Sequence, residues 1–452
     1  MKKFLASKIF RFVWSAAAAT FLYYICPPCL SKVALTSVLT ILFIIINLFP
    51  FWAESKGMAN TVFFWFTQFV RVFVGGLFVF SGTIKANDPV GFSYKLKEYF
   101  EVFQADTGFA FFEMFAHTAL PLAIIICASE IILGIMLLIG YRIQLTLWLL
   151  FAQIAFFTFL TFYSACYNKV THCGCFGDFW KLKPWDSFWK DIILLVSVSI
   201  LFVGQSHLKK IFPPMIVSVL FLLAVVFSFW FPVYAYRNLP PKDFRPYAPG
   251  LSIKEGMKKS ADYQDPVYES ILVYENVKNG SLKEFTNNEY MKSKIWEDTL
   301  NWKWHETKTK LVKEAVDEPK ITDFTVNDLN GNNITDSILN EKGYSFWLIV
   351  HELALTNENE TVIAEINDLY KLVSLDQHKF IALTASSSKE IDNYKHRHNA
   401  LYDFAMVDNT VLKTMIRSNP GLMLIKDGKV IANWHYHNFP TYSDAKQKYM
   451  RE

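Results

Sequence analysis

The run IFPPMIVSVLFLLAVVFSFWFPVYAY, residues 211–236, carries no charged residue and exceeds the roughly 20 apolar positions that a membrane-spanning helix needs. RNLPPKDFRPYAPG, residues 237–250, follows at once, a charged and proline-rich tether. The junction divides the chain. Before it lie further long uncharged runs, and after it Lys, Glu, Asp and Asn alternate with apolar residues as in a water-soluble domain. The 452 residues average these halves to 52% hydrophobic, 17% aromatic and 19% charged, toward the membrane class. A net charge of +4 without a long basic block leaves nothing for nucleic acid to bind.

The other uncharged runs are residues 12–31, 33–53, 57–84 (broken by Arg71), 114–141 (broken by Glu130), 143–168 and a short one at 192–208. The expectation is therefore an α-helical transmembrane bundle of about seven spans followed by a soluble domain. The basic start MKKFLASKIFRF reads as a retained anchor, because the run after it is long and has no small-residue cleavage site before CPPC. Lys2, Lys3, Lys8, Arg11, Lys209 and Lys210 put the amino terminus and the loop before residue 211 on the cytoplasmic side. Seven spans then leave the soluble half outside. The expected organisation is a two-span hairpin at 1–56, a four-helix unit at 57–210, a seventh span at 211–236, a tether with a β-hairpin at 237–317 and a C-terminal domain at 318–452.

All six cysteines lie in the membrane half. Cys26 and Cys29 fall at the outer end of the first expected span, Cys166 at that of the fifth, and Cys173 and Cys175 in the loop beyond. Five thiols thus gather on the oxidising face, where disulfides persist and exchange. Cys127 sits at membrane depth and reads as a small packing residue. Cys26-Pro-Pro-Cys29 has the spacing of a redox dithiol, and its prolines equally well end a helix. A bridge within Cys173-Gly-Cys175 would be strained and prone to exchange; alternatively one of the two braces Cys166 or the CPPC pair. Zinc is a third reading, since His172 adds a ligand, but two cysteines and one histidine packed so tightly do not make the usual spacing, and no metal is expected.

Arg71 and Glu130 interrupt otherwise uncharged runs, and a lone charge in hydrocarbon is costly. Counted from opposite faces they reach similar depth, so they are expected to form an ion pair or to line one polar pocket, as a structural brace or as a ligand site. Lys85 and Asp88 fall at the outer end of that helix, where they read as a solvated loop or as part of a site near the thiols.

Arg71-Val-Phe-Val-Gly-Gly-Leu-Phe-Val-Phe-Ser-Gly-Thr-Ile-Lys85, the amphipathic segment Phe92 to Phe100, Ala128-Ser-Glu-Ile-Ile-Leu-Gly134 and Cys173-Gly-Cys-Phe-Gly177 together resemble the MauE branch of the DoxX-like membrane proteins, over about a third of the chain. The resemblance implies a four-helix unit of the bacterial inner membrane. It further implies disulfide formation during maturation of a periplasmic protein, beside a thioredoxin-like partner. Through the DoxX relatives it implies a quinone as electron acceptor.

In the soluble half, SILVYENVKNGSLKEF (270–285) alternates about Asn279-Gly280, a hairpin signal, and FTVNDLNGNNI (324–334) repeats it about Asn330-Gly331. Strands are expected at 345–350 and 380–384, helices at 360–374 and 388–399, and a closing hairpin in GLMLIKDGKVI (421–431). DLNGNN, FWLIV and Pro420 before the last hairpin resemble the thioredoxin-like fold of TlpA and peroxiredoxin type, over about residues 318–440. That resemblance implies a cis-proline at Pro420 and a client groove beside Asn419 and Pro420. It also implies a C-x-x-C after FWLIV, where this chain has His351-Glu-Leu-Ala-Leu-Thr-Asn357 and no sulfur. Thr356 or Asn357 is expected to cap the next helix, and His351 reads as a polar contact or a ligand. Two functions follow. One is a membrane thiol/disulfide oxidoreductase or maturation factor with a periplasmic protein client. The other is an envelope assembly protein whose cysteines are static bridges.

Overall fold

The structure, a computed structural model, describes residues 57–450 apart from positions 168, 171–173, 175 and 314. The first two expected spans with Cys26 and Cys29, and the cysteines Cys173 and Cys175, lie outside the described residues. The chain packs as two compact units. Among the described residues, one comprises 57–245 together with Ile416–Gly421 and Trp434–Phe439; the other comprises Pro246–Met415, Leu422–Asn433 and the residues from Pro440.

The helices of the first unit are α1 Gly57–Asn87, α2 Pro89–Thr107, α3 Phe111–His117, α4 Ala119–Ile139, α5 Ile143–Tyr167, α6 Pro184–Val203 and α7 Pro214–Asn238. Among the described residues four are long and apolar enough to cross a membrane: α1 from Thr61, α4, α5 and α7. The expected sixth span forms the distal part of α6, whose first turns carry Asp186, Lys190 and Asp191. The run 114–141 does not form one helix. It breaks at Thr118 between α3 and α4.

Local chemistry sets the ends of α2. Asp88 accepts the Gly91 amide as N-cap, Pro89 opens the first turn, and Gly108 closes the helix with φ of 71°. Its apolar face buries Phe92, Leu96, Tyr99 and Phe103.

α1 and α4 run antiparallel and nearly touch. A β-carbon added at Gly134 would lie 2.7 Å from the Gly75 carbonyl oxygen, and one at Gly82 would lie 2.9 Å from Glu130 Cβ. Small residues are what allow spanning helices this approach. Burial agrees with a central place for α4: 56% of its apolar window is enclosed, against 22% for α7. Trp65, Phe69 and Val72 on α1, and Leu222 and Val226 on α7, remain exposed, as on faces that a bilayer covers.

The second unit begins with the short helix α8, Ile253–Met257, and continues with β1 Val267–Asn276, β2 Leu282–Thr286, α9 Asn287–Ser293 and β3 Trp302–Lys313. The expected hairpin is present: Leu272 pairs with Phe285 and Glu275 with Leu282, and Gly280 takes φ of 67° in the turn. β3 adds a third strand antiparallel to β1, giving the order β2-β1-β3. Its sequence WKWHETKTKLVK is too polar to announce it.

The expected second hairpin does not form a ladder. Asn327 and Asn333 make one isolated bridge, because the Asp328 carboxylate accepts the Asn330 and Asn332 amides and folds the segment into a turn. Then come α10 Thr335–Leu339, β4 Tyr344–Val350, α11 Glu360–Leu375, β5 Lys379–Thr384, α12 Ser388–His398, β6 Asp403–Met406, α13 Asn409–Met415, β7 Gly421–Lys426, β8 Lys429–His435 and α14 Tyr442–Tyr449. The strands form a sheet of order β6-β5-β4-β7-β8, with β4, β5 and β6 parallel. β4 is buried from Ser345 to Val350, which fits a central strand covered on both faces. Asn359 caps α11 in place of the expected Thr356 or Asn357; its side chain accepts the Thr361 amide, and Asn357 in turn accepts the Asn359 amide.

Gly134→Val should force α1 and α4 apart, since the new methyls would meet backbone atoms of α1 and Val79. A loss of at least about 1–3 kcal/mol is expected, read as a lower unfolding temperature of the detergent-purified protein.

Candidate functional site

The charges within the spanning helices are arranged differently from the sequence expectation. Glu130 on α4 is bridged by Lys85 of α1 rather than by Arg71, and both side chains are 3% exposed. Ser81 joins the pair, donating to Glu130 Oε2 at 3.0 Å and accepting from Lys85 Nζ at 3.1 Å. The Phe92 and Phe157 rings flank the ammonium at 5.4 and 4.6 Å.

The reason is helix geometry. Side chains tilt toward the amino end of their helix, so Lys85 reaches back one turn, to the level where Gly82 meets Glu130. Arg71 lies nearer the amino end of α1 and meets the carboxyl end of α4. Its Nε donates to the Leu137 carbonyl oxygen at 2.8 Å and its Nη1 to Gln68 Oε1 at 3.2 Å. The last carbonyls of α4 carry the negative end of its dipole, so this buried cation acts as a helix cap. Lys85 is therefore a buried partner, not a solvated loop residue.

Asp88 belongs to a second cluster. Arg417 Nε donates to its two carboxylate oxygens at 3.1 and 2.9 Å, and Arg417 Nη2 donates to Asp178 Oδ2 at 3.1 Å. The guanidinium lies 5.6 Å from the centre of the Tyr94 ring. Burial alone would raise the Asp88 carboxyl. The Arg417 and Arg245 charges and the Gly91 amide outweigh it, and the carboxyl titrates below the usual range. Arg417 responds conversely: burial would lower it, and the two carboxylates raise it.

Arg417 belongs to the Ile416–Gly421 segment of the first unit, in which the Asn419–Pro420 peptide is cis. Ser418 ties this segment to Trp434–Phe439, since its hydroxyl donates to the Pro420 carbonyl and accepts the Tyr436 amide. In that second segment His435 is buried, and its Nδ1 accepts the His437 amide at 3.2 Å. Burial, with the neighbouring His437, pushes the His435 imidazole down to about 4.

Of the cysteines, Cys127 is free and buried on α4, and Cys166, near the end of α5, is disulfide-bonded. Gly174, between Cys173 and Cys175, has φ of 70° and sits against Lys95 and Phe92 of α2. In the second unit an open cleft of about 640 Å³ lies at the carboxyl ends of β4, β5 and β6, lined by Asp323, Glu352, Glu390, Asp408 and Asn409 among others. Three of those carboxylates already serve structure. Glu352 accepts from Asn409, and Glu390 and Asp408 accept backbone amides at helix starts. Sequence reasoning missed both this cleft and the role of Arg417, because each assembles residues remote in the chain.

With this geometry in hand, residues 63–204 match the family model described as methylamine utilisation protein MauE. This region is MauE-like. Residues 268–314, the three-stranded sheet, match a domain of unknown function (DUF8463). No curated protein and no solved structure matches the chain. The MauE-like region spans α1 to α6 and so contains the Lys85–Glu130 pair, Asp88, Asp178 and the CGC word. The similarity covers this region alone, and it accompanies the four helices that are long and apolar enough to cross a membrane.

Lys85→Met should cost about 3–5 kcal/mol by leaving Glu130 buried without a counter-charge, and adding Glu130→Leu should recover most of it. Thermal unfolding in one detergent checks both. His435 also gives a signed pH dependence. Its folded pKa is depressed, so its contribution is complete above the unfolded value near 6.5 and is lost as pH falls toward 4. The unfolding temperature should fall across that window, and His435→Gln should flatten the fall.

Proposed function

We propose that this protein is a thiol/disulfide redox or protein-maturation factor of the bacterial inner membrane, with its amino terminus cytoplasmic and its C-terminal domain periplasmic. In this reading the sheet β6-β5-β4-β7-β8 is a thioredoxin-like domain that has given up its own dithiol and retains client binding. The strand order and the cis Asn419–Pro420 peptide before β7 support that assignment.

The observation that carries the reading is the Arg417–Asp178 bridge. It ties the segment bearing Pro420 to the turn that follows Cys173-Gly-Cys175. Cysteines Cys173, Cys175, Cys26, Cys29 and Cys166 are then the exchanging sulfurs. A client thiolate attacks a protein disulfide, one S–S bond forms as another breaks, and the displaced thiolate takes up a proton. A second client thiolate resolves the mixed disulfide. The client loses two electrons and two protons, and the protein disulfide becomes a dithiol.

Lys85, Ser81 and Glu130 satisfy one another, and no step is assigned to a quinone. Reoxidation in this reading falls to a disulfide-bearing partner protein.

A second reading, an assembly or docking protein with static bridges, is favoured by the absence of any cysteine after Cys175. Mass-tag alkylation with peptide mapping separates the two. The redox reading expects the Cys173/Cys175 and Cys26/Cys29 peptides to pass from oxidised to reduced under a mild reductant. Bridges that persist until denaturation, or thiols that stay free throughout, would leave the docking reading.

A further inference from the structure

Among the described residues, one end of the membrane unit carries cations and no carboxylate. It is the end at which α4 turns into α5 and α6 passes into α7. Arg71, Arg142, Lys209 and Lys210 lie in the segments that meet there, and residues 57–87, 131–167 and 192–242 contain no Asp or Glu. Asp88, Asp178, Asp186 and Asp191 fall at or beyond the opposite ends of the same helices.

Backbone contacts bring these segments together. Gln68 Nε2 of α1 donates to the His207 carbonyl oxygen at 3.0 Å, and the Ile211 amide donates to the Ile139 carbonyl oxygen at 3.3 Å. A β-carbon added at Gly140 would lie 2.6 Å from the Lys209 carbonyl oxygen and 2.9 Å from Arg71 Nη2. Two residues on, the Arg142 guanidinium lies 5.8 Å from the centre of the Tyr141 ring, which stacks at 4.5 Å on Phe221 of α7.

Arg71 is 3% exposed, and its Nη2 is buried with no hydrogen-bond partner among the described residues. A buried donor without an acceptor is costly, and a cation in an apolar unit without a counter-ion is more so. Arg142, Lys209 and Lys210 are exposed beside it, and like charges gathered without an anion repel one another. Apolar side chains continue outward from these cations along both of the helices that follow. Trp148 and Leu149 on α5, and Met215, Val219 and Leu222 on α7, are all exposed.

We infer that this end of the membrane unit binds an anionic phospholipid. Its phosphate sits among Arg142, Lys209 and Lys210, Arg71 supplies a fixed positive charge beneath it, and its acyl chains lie along α5 and α7. Basic pockets at the ends of spanning helices take anionic headgroups in this way, and the planar guanidinium of Arg142 can offer two donors to one phosphate. The apolar flanks assign the phosphate to a lipid, since a soluble anion makes no use of them. This inference stands apart from the exchange chemistry of the cysteines.

The test uses the full-length protein, purified in a neutral detergent and stripped of lipid. It is titrated with dioleoylphosphatidylglycerol or dioleoylphosphatidylcholine, and bound lipid is counted by native mass spectrometry. Phosphatidylglycerol should bind at least about fivefold more tightly, and each of Arg142→Gln, Lys209→Gln and Lys210→Gln should weaken it roughly fivefold while leaving phosphatidylcholine unchanged. The paired variant Lys181→Gln/Arg237→Gln, which removes two exposed cations at the opposite end, should leave both lipids unchanged. Equal binding of the two lipids, or a loss that the paired variant reproduces, overturns the site. Displacement of phosphatidylglycerol by millimolar inorganic phosphate overturns the lipid as occupant and gives the cations to a soluble anion.

Discussion

The first unit depends on the backbone approach of α1 to α4. Gly75, Gly82 and Gly134 remove the side chains that would hold the two helices apart, and in a bilayer such close packing replaces the hydrophobic drive available in water. The approach also fixes the electrostatics. With Gly82 against Glu130, Lys85 is the cation within reach of the carboxylate, and Arg71 is left against the carboxyl end of α4. A shift of one turn between the helices would strand both charges in hydrocarbon, which is why these pairs specify register as well as stability.

At the end of α1 the same logic passes into a polar network. Asp88 caps α2 and accepts Arg417 with the one carboxylate, so the start of α2, the turn after the CGC word and the Pro420 segment share a single buried cation. Such a cluster contributes little net stability, since desolvation offsets most of the attraction. Its consequence is geometric: three segments remote from one another in the sequence are held in one arrangement. The chemistry proposed for this protein needs that arrangement, because the C-terminal sheet contains no cysteine.

Much of the secondary structure was legible along the chain. Spans at α1, α5 and α7, the strand FWLIV, the helices α11 and α12 and the two NG- and DG-centred hairpins around residues 280 and 428 follow from periodicity and turn chemistry. The misses have specific causes. β3 is polar on both faces, so alternation does not mark it. DLNGNN carries a hairpin word, but Asp328 captures the amides that a ladder would need. Thr118 breaks an uncharged run that hydropathy treats as continuous.

The sequence alone determined the division at Arg237, the apolar character of the membrane half and the confinement of sulfur to it, because composition and run length bear directly on transfer out of water. It also singled out Arg71 and Glu130 as residues needing partners, since an unpaired charge in an apolar run is costly wherever the chain places it, whereas Lys85 and Asp88 read as a solvated loop or as part of a site near the thiols. Who partners whom was decided by the tertiary structure. Pairing depends on helix register and side-chain tilt within a turn of about 5.4 Å, finer than counting from presumed membrane faces can resolve. Arg417 had no mark in its own surroundings, because its partners Asp88 and Asp178 lie far away in the sequence and come within 3 Å or so only when the chain is folded.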